Sequence, residues 1–233
     1  MHWLFHARRG ALLVALLALS GCVDNTATAT FPIGSEVRLS STDLGLPADL
    51  RDTSSGSATV ASIPCLPTNE CPSAPVAMAC VAGVCDPEPM TVTAQVGGVI
   101  DFEELVSGLD MLFADVRSIQ LISLEYVINS NTSTVGVEPI EVFWAPAGAV
   151  GVDPAMGARL LGNLPAVAAM AAGQGSATID PSGSRALSAQ IVSDPRIKLF
   201  VRTGIDLDPG GVFPEGDIDL MVRMTVRVEG TIL

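Results

Sequence analysis

The sequence predicts a mainly β protein: an antiparallel β-sandwich with one or two short helices and a disulfide-stapled loop insertion. Apolar and polar residues alternate strictly along two segments near the C-terminus, which is typical of strands with one buried face. Stretches rich in Gly, Pro, Asp and Ser separate the alternating segments, as turns do between strands. Four cysteines lie close together between residues 65 and 85, and they predict the stapled insertion.

The first 22 residues predict export and attachment to a membrane. Arg8 and Arg9 precede an apolar run at 11–19, which is less than half of the roughly 20 residues that a spanning helix needs. A basic start, a short apolar run and small residues at the exit form a secretory signal peptide. The motif Leu19-Ser20-Gly21-Cys22 resembles the lipobox of bacterial lipoproteins, in which a peptidase cuts before the cysteine after a lipid is attached to its sulfur.

This resemblance implies a lipoprotein signal peptide over residues 1–21, lipidation of Cys22 and a place in the bacterial envelope. Each CH₂ group of a lipid chain that is buried in the membrane contributes about 0.8 kcal/mol, and about two chains are needed for stable anchoring. Members of the lipoprotein family carry three acyl chains, so the resemblance implies a permanent anchor. Val23 stands where an Asp would favour the inner membrane, so the outer membrane is favoured. The alternative, an ordinary signal peptide, leaves an odd cysteine in an exported protein.

The amino-acid composition excludes several classes of catalytic and binding function. Both histidines, His2 and His6, precede Cys22, so histidine-based catalysis and histidine zinc sites are excluded from the mature chain. Loss of Arg8 and Arg9 would change the net charge from −13 to −15, which makes nucleic acid a poor partner. Catalysis by a pair of carboxylates, as in glycosidases, remains possible for this composition. Such enzymes usually stack aromatic side chains on sugars, however, and only 4% of the residues are aromatic. We therefore expect no enzyme.

The chain after the lipobox divides into a tether and one domain. Residues 22–30 are small and polar and predict a flexible tether, and residues 31–233 predict a single β-sandwich domain. Partial alternation predicts a first strand at 31–40. Residues 41–62 predict a surface loop with a short extended piece at 58–63.

A cysteine-rich insertion is predicted at about 64–90, and it resembles short cysteine-rich segments of exported bacterial proteins. Cys65, Cys71, Cys80 and Cys85 predict two disulfides. The sequence leaves three pairings open; we favour Cys65–Cys80 with Cys71–Cys85, because interleaved pairs are common in small staples. A metal site is the alternative, but it lacks C-x-x-C spacing and needs thiolates in an oxidising compartment.

The middle of the chain switches between strand and helix patterns. Residues 101–116 predict an amphipathic helix, with Asp101 as its N-cap and Glu104 at capping-box spacing. A second short helix is predicted at 184–194, ending before Pro195. Strands are predicted at 90–100, 118–130, 140–146, 164–171 (where a helix also fits) and 176–180.

The C-terminal segments 196–208 and 217–232 show the clearest pattern. In each, every second residue is apolar or Thr, and charged residues occupy the other face. Turn-forming residues at 209–216 join them, so we predict an antiparallel hairpin with one face in the core. Together with the other strands, it completes a sandwich of roughly seven to nine strands.

Five carboxylates collect at the predicted hairpin tip: Asp206, Asp208, Glu215, Asp217 and Asp219. Part of their spacing matches a calcium loop, with Gly211 at the sixth position, but Gly210 replaces one ligand and an Asp replaces the bidentate Glu. A bound Ca²⁺ would relieve the repulsion between them. The alternatives are a solvated acidic turn and contact with a basic partner.

These observations favour a lipid-anchored, non-catalytic structural or protein-interaction module of the envelope. Its expected partners are the membrane, through the N-terminal lipid, and another envelope protein. The alternative is a binding protein for a hydrophobic small ligand or Ca²⁺, and no other cofactor is expected.

Overall fold

A computed structural model of the chain describes residues 26–46, 48–54, 56–68, 70–71, 77–88, 90–102 and 113–232. The strands are β1 (Thr26–Ser40), β2 (Arg51–Asp52), β3 (Thr59–Val60), β4 (Ile63–Pro64), β5 (Met78–Val81), β6 (Val84–Pro87), β7 (Met90–Asp101), β8 (Phe113–Asn131), β9 (Ile140–Pro146), β10 (Arg159–Leu164), β11 (Gly173–Ser176), β12 (Thr178–Ile179), β13 (Arg196–Ile205) and β14 (Asp217–Ile232). The helix α1 spans Pro181–Ser193, and 3₁₀ turns span Ser41–Leu44, Ala48–Leu50 and Pro154–Met156.

Two antiparallel sheets form the body, which confirms the predicted mainly β fold. One sheet has the order β1-β14-β8-β11 and the other the order β12-β10-β9-β13-β7. β14 lies between β1 and β8, and its pairing with β1 runs without a shift from Thr26 opposite Thr231 to Ser40 opposite Asp217. The edge strands β1 and β7 contact each other, so this side of the sandwich is closed.

The core lies between the two sheets, as the alternating pattern predicts. On β13 and β14 the predicted inward residues are all buried: Ile197, Leu199, Val201, Thr203, Ile205, Ile218, Leu220, Val222, Met224, Val226 and Val228. All of them except Thr203 pack in one apolar cluster with buried side chains of β8, β9 and β10. Since each fully buried aliphatic side chain contributes about 1.5–3 kcal/mol, these two strands supply a large part of the apolar stabilisation.

The outer face of the five-stranded sheet carries a second, smaller apolar cluster. Phe143 and Phe200 are buried there with Ala149, which belongs to the loop after β9. The Lys198 Nζ donates a hydrogen bond to the Ala149 carbonyl oxygen at 2.9 Å. This loop therefore covers a face that alternation alone assigns to solvent.

Helix α1 packs against β8 of one sheet and β10 of the other. It confirms the second predicted helix, although it begins at Pro181, three residues earlier than predicted. Asp180 is its N-cap, and its carboxylate accepts a hydrogen bond from the Gly183 N–H at 2.6 Å. Trp144 donates from Nε1 to the Gly183 carbonyl oxygen at 2.9 Å, which ties the helix to β9. Among the described residues, no helix is long and apolar enough to cross a membrane.

Two predicted boundaries near the N-terminal half are wrong. The tether is predicted to run from residue 22 to 30, but β1 begins at Thr26. Residues 26–30 continue the register along β14, and three of these five residues are threonines, which favour strands. Residues 22–25 lie outside the described part. The helix predicted at 101–116 falls largely on 103–112, which also lie outside it, while Phe113–Val116 belong to β8 and pair with β14.

Two predictions in the C-terminal half are also wrong. The strand expected at 164–171 is instead β10, which ends at Leu164 because Pro165 has no N–H to continue the ladder. The predicted hairpin of 196–208 with 217–232 does not form, since β13 and β14 belong to different sheets. Alternation identifies the buried face of a strand but not its partner.

The contact under α1 gives a test of this packing. A Cβ at Gly183 would lie 1.6 Å from the Leu160 carbonyl oxygen, so Gly183→Ala must move either the helix or β10. We expect the free energy of unfolding to fall by about 2–3 kcal/mol, measured from urea denaturation. Ser182→Ala, at an exposed neighbouring position, is the control and should change it little. Equal stability of both variants would contradict the described contact.

Candidate functional site

The predicted chemistry-bearing residues collect at one end of the sandwich, which we call the loop end. It is the end at which β1, β8 and β13 finish and β14 begins. Segments 132–139 and 206–216 emerge there, together with the described residues of 41–62. The cysteine-rich insertion also leaves and rejoins the body at this end, because Val60 donates to the Gly211 oxygen at 2.8 Å and Met90 pairs with Ile205.

The five predicted carboxylates do not form one group. Asp217 makes a salt bridge with Arg38, whose Nε lies 3.9 Å from Asp219, and Glu215 makes a salt bridge with Arg51. Among the described residues, the one group of three potential metal ligands whose ligand atoms lie within 4.8 Å of one another consists of cysteines, not of these carboxylates. Two arginines therefore offset the repulsion that a calcium ion was expected to relieve.

The Arg38–Asp217 pair changes the titration of both groups. The hydrogen bond from Arg38, followed by one from Ser40, holds the pKa of Asp217 below its ordinary value. The same bond raises the pKa of Arg38. The Asp217 side chain is 25% exposed, so solvent screens this interaction and its contribution to stability is small.

The segment that enters β14 is held by two threonines of the loop after β8. Thr134 donates from Oγ1 to the Phe213 oxygen at 2.8 Å and accepts from the Glu215 N–H at 2.8 Å. Thr132 accepts at Oγ1 from the Asp217 N–H at 2.9 Å. Gly216 has a φ of +88° and would place a Cβ 2.2 Å from the Thr132 oxygen, so only glycine fits.

Residues before this segment pack against the loop that precedes the insertion. Phe213 is buried, and its N–H donates to the Ala58 oxygen at 3.1 Å. Gly210 donates to the Val60 oxygen at 2.8 Å. The neighbouring Val212 is 57% exposed and presents an apolar side chain at the loop end.

An open acidic cavity of about 550 Å³ lies at the loop end. Glu138, Asp206 and Asp208 line it, and none of the three makes a salt bridge with a described residue. Its remaining walls are mostly small or apolar: Thr134, Val135, Gly136, Val137, Pro139, Ala166, Ala169, Gly211 and Val212. This combination of unpaired carboxylates and apolar wall suits the aliphatic stem and cationic head of a lysine or arginine.

The space between the sheets near this end is much smaller. A cavity of about 20 Å³ lies among residues that include Leu39, Val137 and Ile205. Pockets that hold small-molecule ligands measure about 300–1,000 Å³. This part of the interior has room for about one water molecule.

The cysteine-rich insertion is cross-linked as the favoured pairing predicts, with disulfides Cys65–Cys80 and Cys71–Cys85. The expected loop contains a small antiparallel sheet of order β4-β6-β5. Ile63 and Met78 pack against the main core, and Cys85 is buried, so one side of the insertion is fixed to the body. Leu66 and Val81 are 44% and 52% exposed on it.

Four residues of this site were missed by sequence reasoning. Arg38 and Arg51 neutralise predicted acidic residues, and Thr132 and Thr134 hold the segment that carries them. The spacing of Arg38 in the predicted first strand hinted at an exposed charge, but its partner depends on the register with β14. Cys22, the predicted lipidation site, lies outside the described residues.

The depressed pKa of Asp217 predicts a pH-dependent contribution to stability. It is present above the unfolded-state value of about 3.9 and is lost as the pH falls through the lower folded-state value. Asp217→Asn should therefore lower the urea midpoint slightly near neutral pH, and the difference should disappear in strong acid. Asp206→Asn is the control, since Asp206 is exposed and makes no salt bridge with a described residue. A difference that persists unchanged into strong acid would contradict the ion pair.

No family model matches this chain, and no curated protein matches it. Two solved structures are similar at low level. One is a chain in the structure of empty head turnip yellow mosaic virus, which is 12% identical to this chain with a TM-score of 0.25. The match covers 97% of this chain and 91% of that chain. The other is a chain in the structure of the infectious bursal disease virus Gx strain, which is also 12% identical, with a TM-score of 0.24. The match covers 93% of this chain and 58% of that chain. Neither likeness bears on the fold or function of this chain.

Proposed function

We propose that this chain is a lipid-anchored lipoprotein of the bacterial envelope, attached to a membrane through Cys22, with the outer membrane favoured. In this proposal the domain is not a catalyst. It acts as a structural or protein-interaction module, and the loop end is the surface that meets another envelope protein.

The position of β1 relative to the lipobox carries this proposal. β1 begins at Thr26, so only four peptide steps separate it from Cys22, and these reach at most about 14 Å. A lipid on Cys22 would hold the domain close to the membrane surface. β1 then runs to Ser40, a rise of about 45 Å at roughly 3.3 Å per residue, so the loop end would face away from the membrane.

The surface of the loop end is suited to a protein partner. It combines an acidic cavity with the exposed apolar side chain of Val212, and the insertion that emerges at this end exposes Leu66 and Val81. Protein interfaces typically place apolar residues beside polar groups that fix orientation. The carboxylates Glu138, Asp206 and Asp208 make no salt bridge with any residue that the structure describes. They favour a partner that presents basic side chains, because opposite charges steer association.

The alternative of a hydrophobic ligand or Ca²⁺ has less support. The cavity between the sheets near the loop end is about 20 Å³, which is too small for a hydrophobic ligand. Three of the five candidate calcium ligands are instead near arginines. We therefore retain the interaction module as the leading proposal.

Attachment through Cys22 can be tested by expressing the full chain in a Gram-negative host fed an alkyne-labelled fatty acid. The wild-type chain should carry the label and fractionate with membranes, and Cys22→Ser should lose both. Cys80→Ser, which removes a cysteine but leaves the lipobox, is the matched control and should keep the label. An unlabelled wild-type chain that is released in soluble form would overturn the proposal.

The role of the loop end can be tested by photo-crosslinking in intact envelopes. A photoreactive residue placed at Val212 should crosslink to a specific protein, whereas one at Thr28, near the proposed anchor, should not. The double variant Asp206→Asn, Asp208→Asn should reduce the Val212 crosslink several-fold, because it removes the charges offered to a basic partner. Crosslinks only from Thr28, or a yield unaffected by the charge changes, would contradict this role.

A further inference from the structure

Three of the four cysteine sulfurs of the insertion lie in one cluster. The Sγ atoms of Cys65, Cys71 and Cys85 all lie within 4.8 Å of one another, although they belong to two different disulfides. Cys80 is bonded to Cys65 and stands directly opposite Cys85 in the β5–β6 pair. Cys65, Cys71 and Cys85 therefore each have a sulfur other than their bonded partner within 4.8 Å, and Cys80 has Cys85 opposite it on the neighbouring strand.

A second pairing fits this arrangement without a change of strand register. Residues directly opposite each other on antiparallel strands have Cα atoms about 4.5–5.5 Å apart, within the range of about 4.4–6.8 Å that a disulfide needs. Cys80 and Cys85 are such a pair. The sulfurs of the remaining two, Cys65 and Cys71, are already within 4.8 Å.

We propose that the insertion is a thiol–disulfide exchange site, in which Cys65–Cys80 with Cys71–Cys85 interconverts with Cys65–Cys71 and Cys80–Cys85. The co-reactant is a thiol from outside the domain, either a small thiol or a protein thiol. This inference rests on the disulfides and the β5–β6 register, so it does not depend on the proposed anchor.

Each step of the exchange breaks one S–S bond and forms another. An external thiolate attacks the Cys80 sulfur, forms a mixed disulfide with it and releases the Cys65 thiolate. The Cys65 thiolate attacks Cys71, forms Cys65–Cys71 and releases the Cys85 thiolate. The Cys85 thiolate then attacks Cys80, forms Cys80–Cys85 and expels the external thiolate, so no net oxidation or reduction occurs.

Burial selects where the external thiol enters. Cys85 is only 1% exposed, so direct attack at its sulfur is blocked. Cys65, Cys71 and Cys80 are half-buried and can be reached from solvent. In the second pairing, no disulfide joins the segment 65–71 to the β5–β6 hairpin, so exchange would release this segment at the loop end.

The test uses the purified full chain with its disulfides intact. It is incubated at mildly alkaline pH without denaturant in a catalytic amount of glutathione, quenched in acid and mapped by mass spectrometry after peptic digestion. We expect peptides joined through Cys65–Cys71 and Cys80–Cys85 to appear beside the original pair. If the original pair persists alone, or if Cys65–Cys85 with Cys71–Cys80 forms instead, the proposal is overturned.

Two variants isolate the internal steps. In Cys80→Ser the free Cys65 should attack Cys71, so Cys85 should carry the free thiol. Because Cys85 is buried, a maleimide is added together with denaturant at mildly acidic pH, where exchange is slow, and it should then label Cys85. In Cys65→Ser the free Cys80 should attack Cys85, so the maleimide should label Cys71. Labelling of only the cysteine whose partner was removed would contradict the exchange, and circular dichroism of each variant verifies that the sandwich is folded.

Discussion

The pairing of β14 along both of its edges is the constraint on which the rest of the structure depends. Its inward residues, from Ile218 to Val228, are nearly all inaccessible, and the strand lies between β1 and β8. β1 is therefore an ordered strand from Thr26 onward, which removes most of the expected tether. A one-residue shift of β14 would turn its apolar face to solvent, so the register of all three strands is fixed by burial.

The separation of β13 and β14 into different sheets creates the loop end. The chain has to cross from one sheet to the other between Ile205 and Asp217, and it does so over the end of the sandwich. The crossing needs anchoring, which Thr132 and Thr134 supply by hydrogen bonds and Gly216 permits by its positive φ. The acidic groups are thus spread along the crossing segment and the start of β14, and arginines from β1 and β2 lie near three of them.

Sequence reasoning predicted the fold class and buried faces well because alternation reports burial directly. The inward residues of β13 and β14 and the helix before Pro195 were all predicted. The pairing partner of each strand is harder to predict, since the patterns of β13 and β14 would be the same in a hairpin as in two facing sheets. For the same reason the pairing of Arg38 with Asp217 depends on a register that links residues far apart in sequence.

The disulfide pairing shows how tertiary packing decides between alternatives that the sequence leaves open. In a disordered chain, loop closure favours the local pairs Cys65–Cys71 and Cys80–Cys85 over the observed loops of 15 and 14 residues, by about 2 kcal/mol in total. The folded domain nevertheless has the non-local pairs. Burial of Cys85 and the packing of Ile63 and Met78 on the main core must therefore supply at least this difference. Any contact that loosens this packing would shift the balance toward the local pairs.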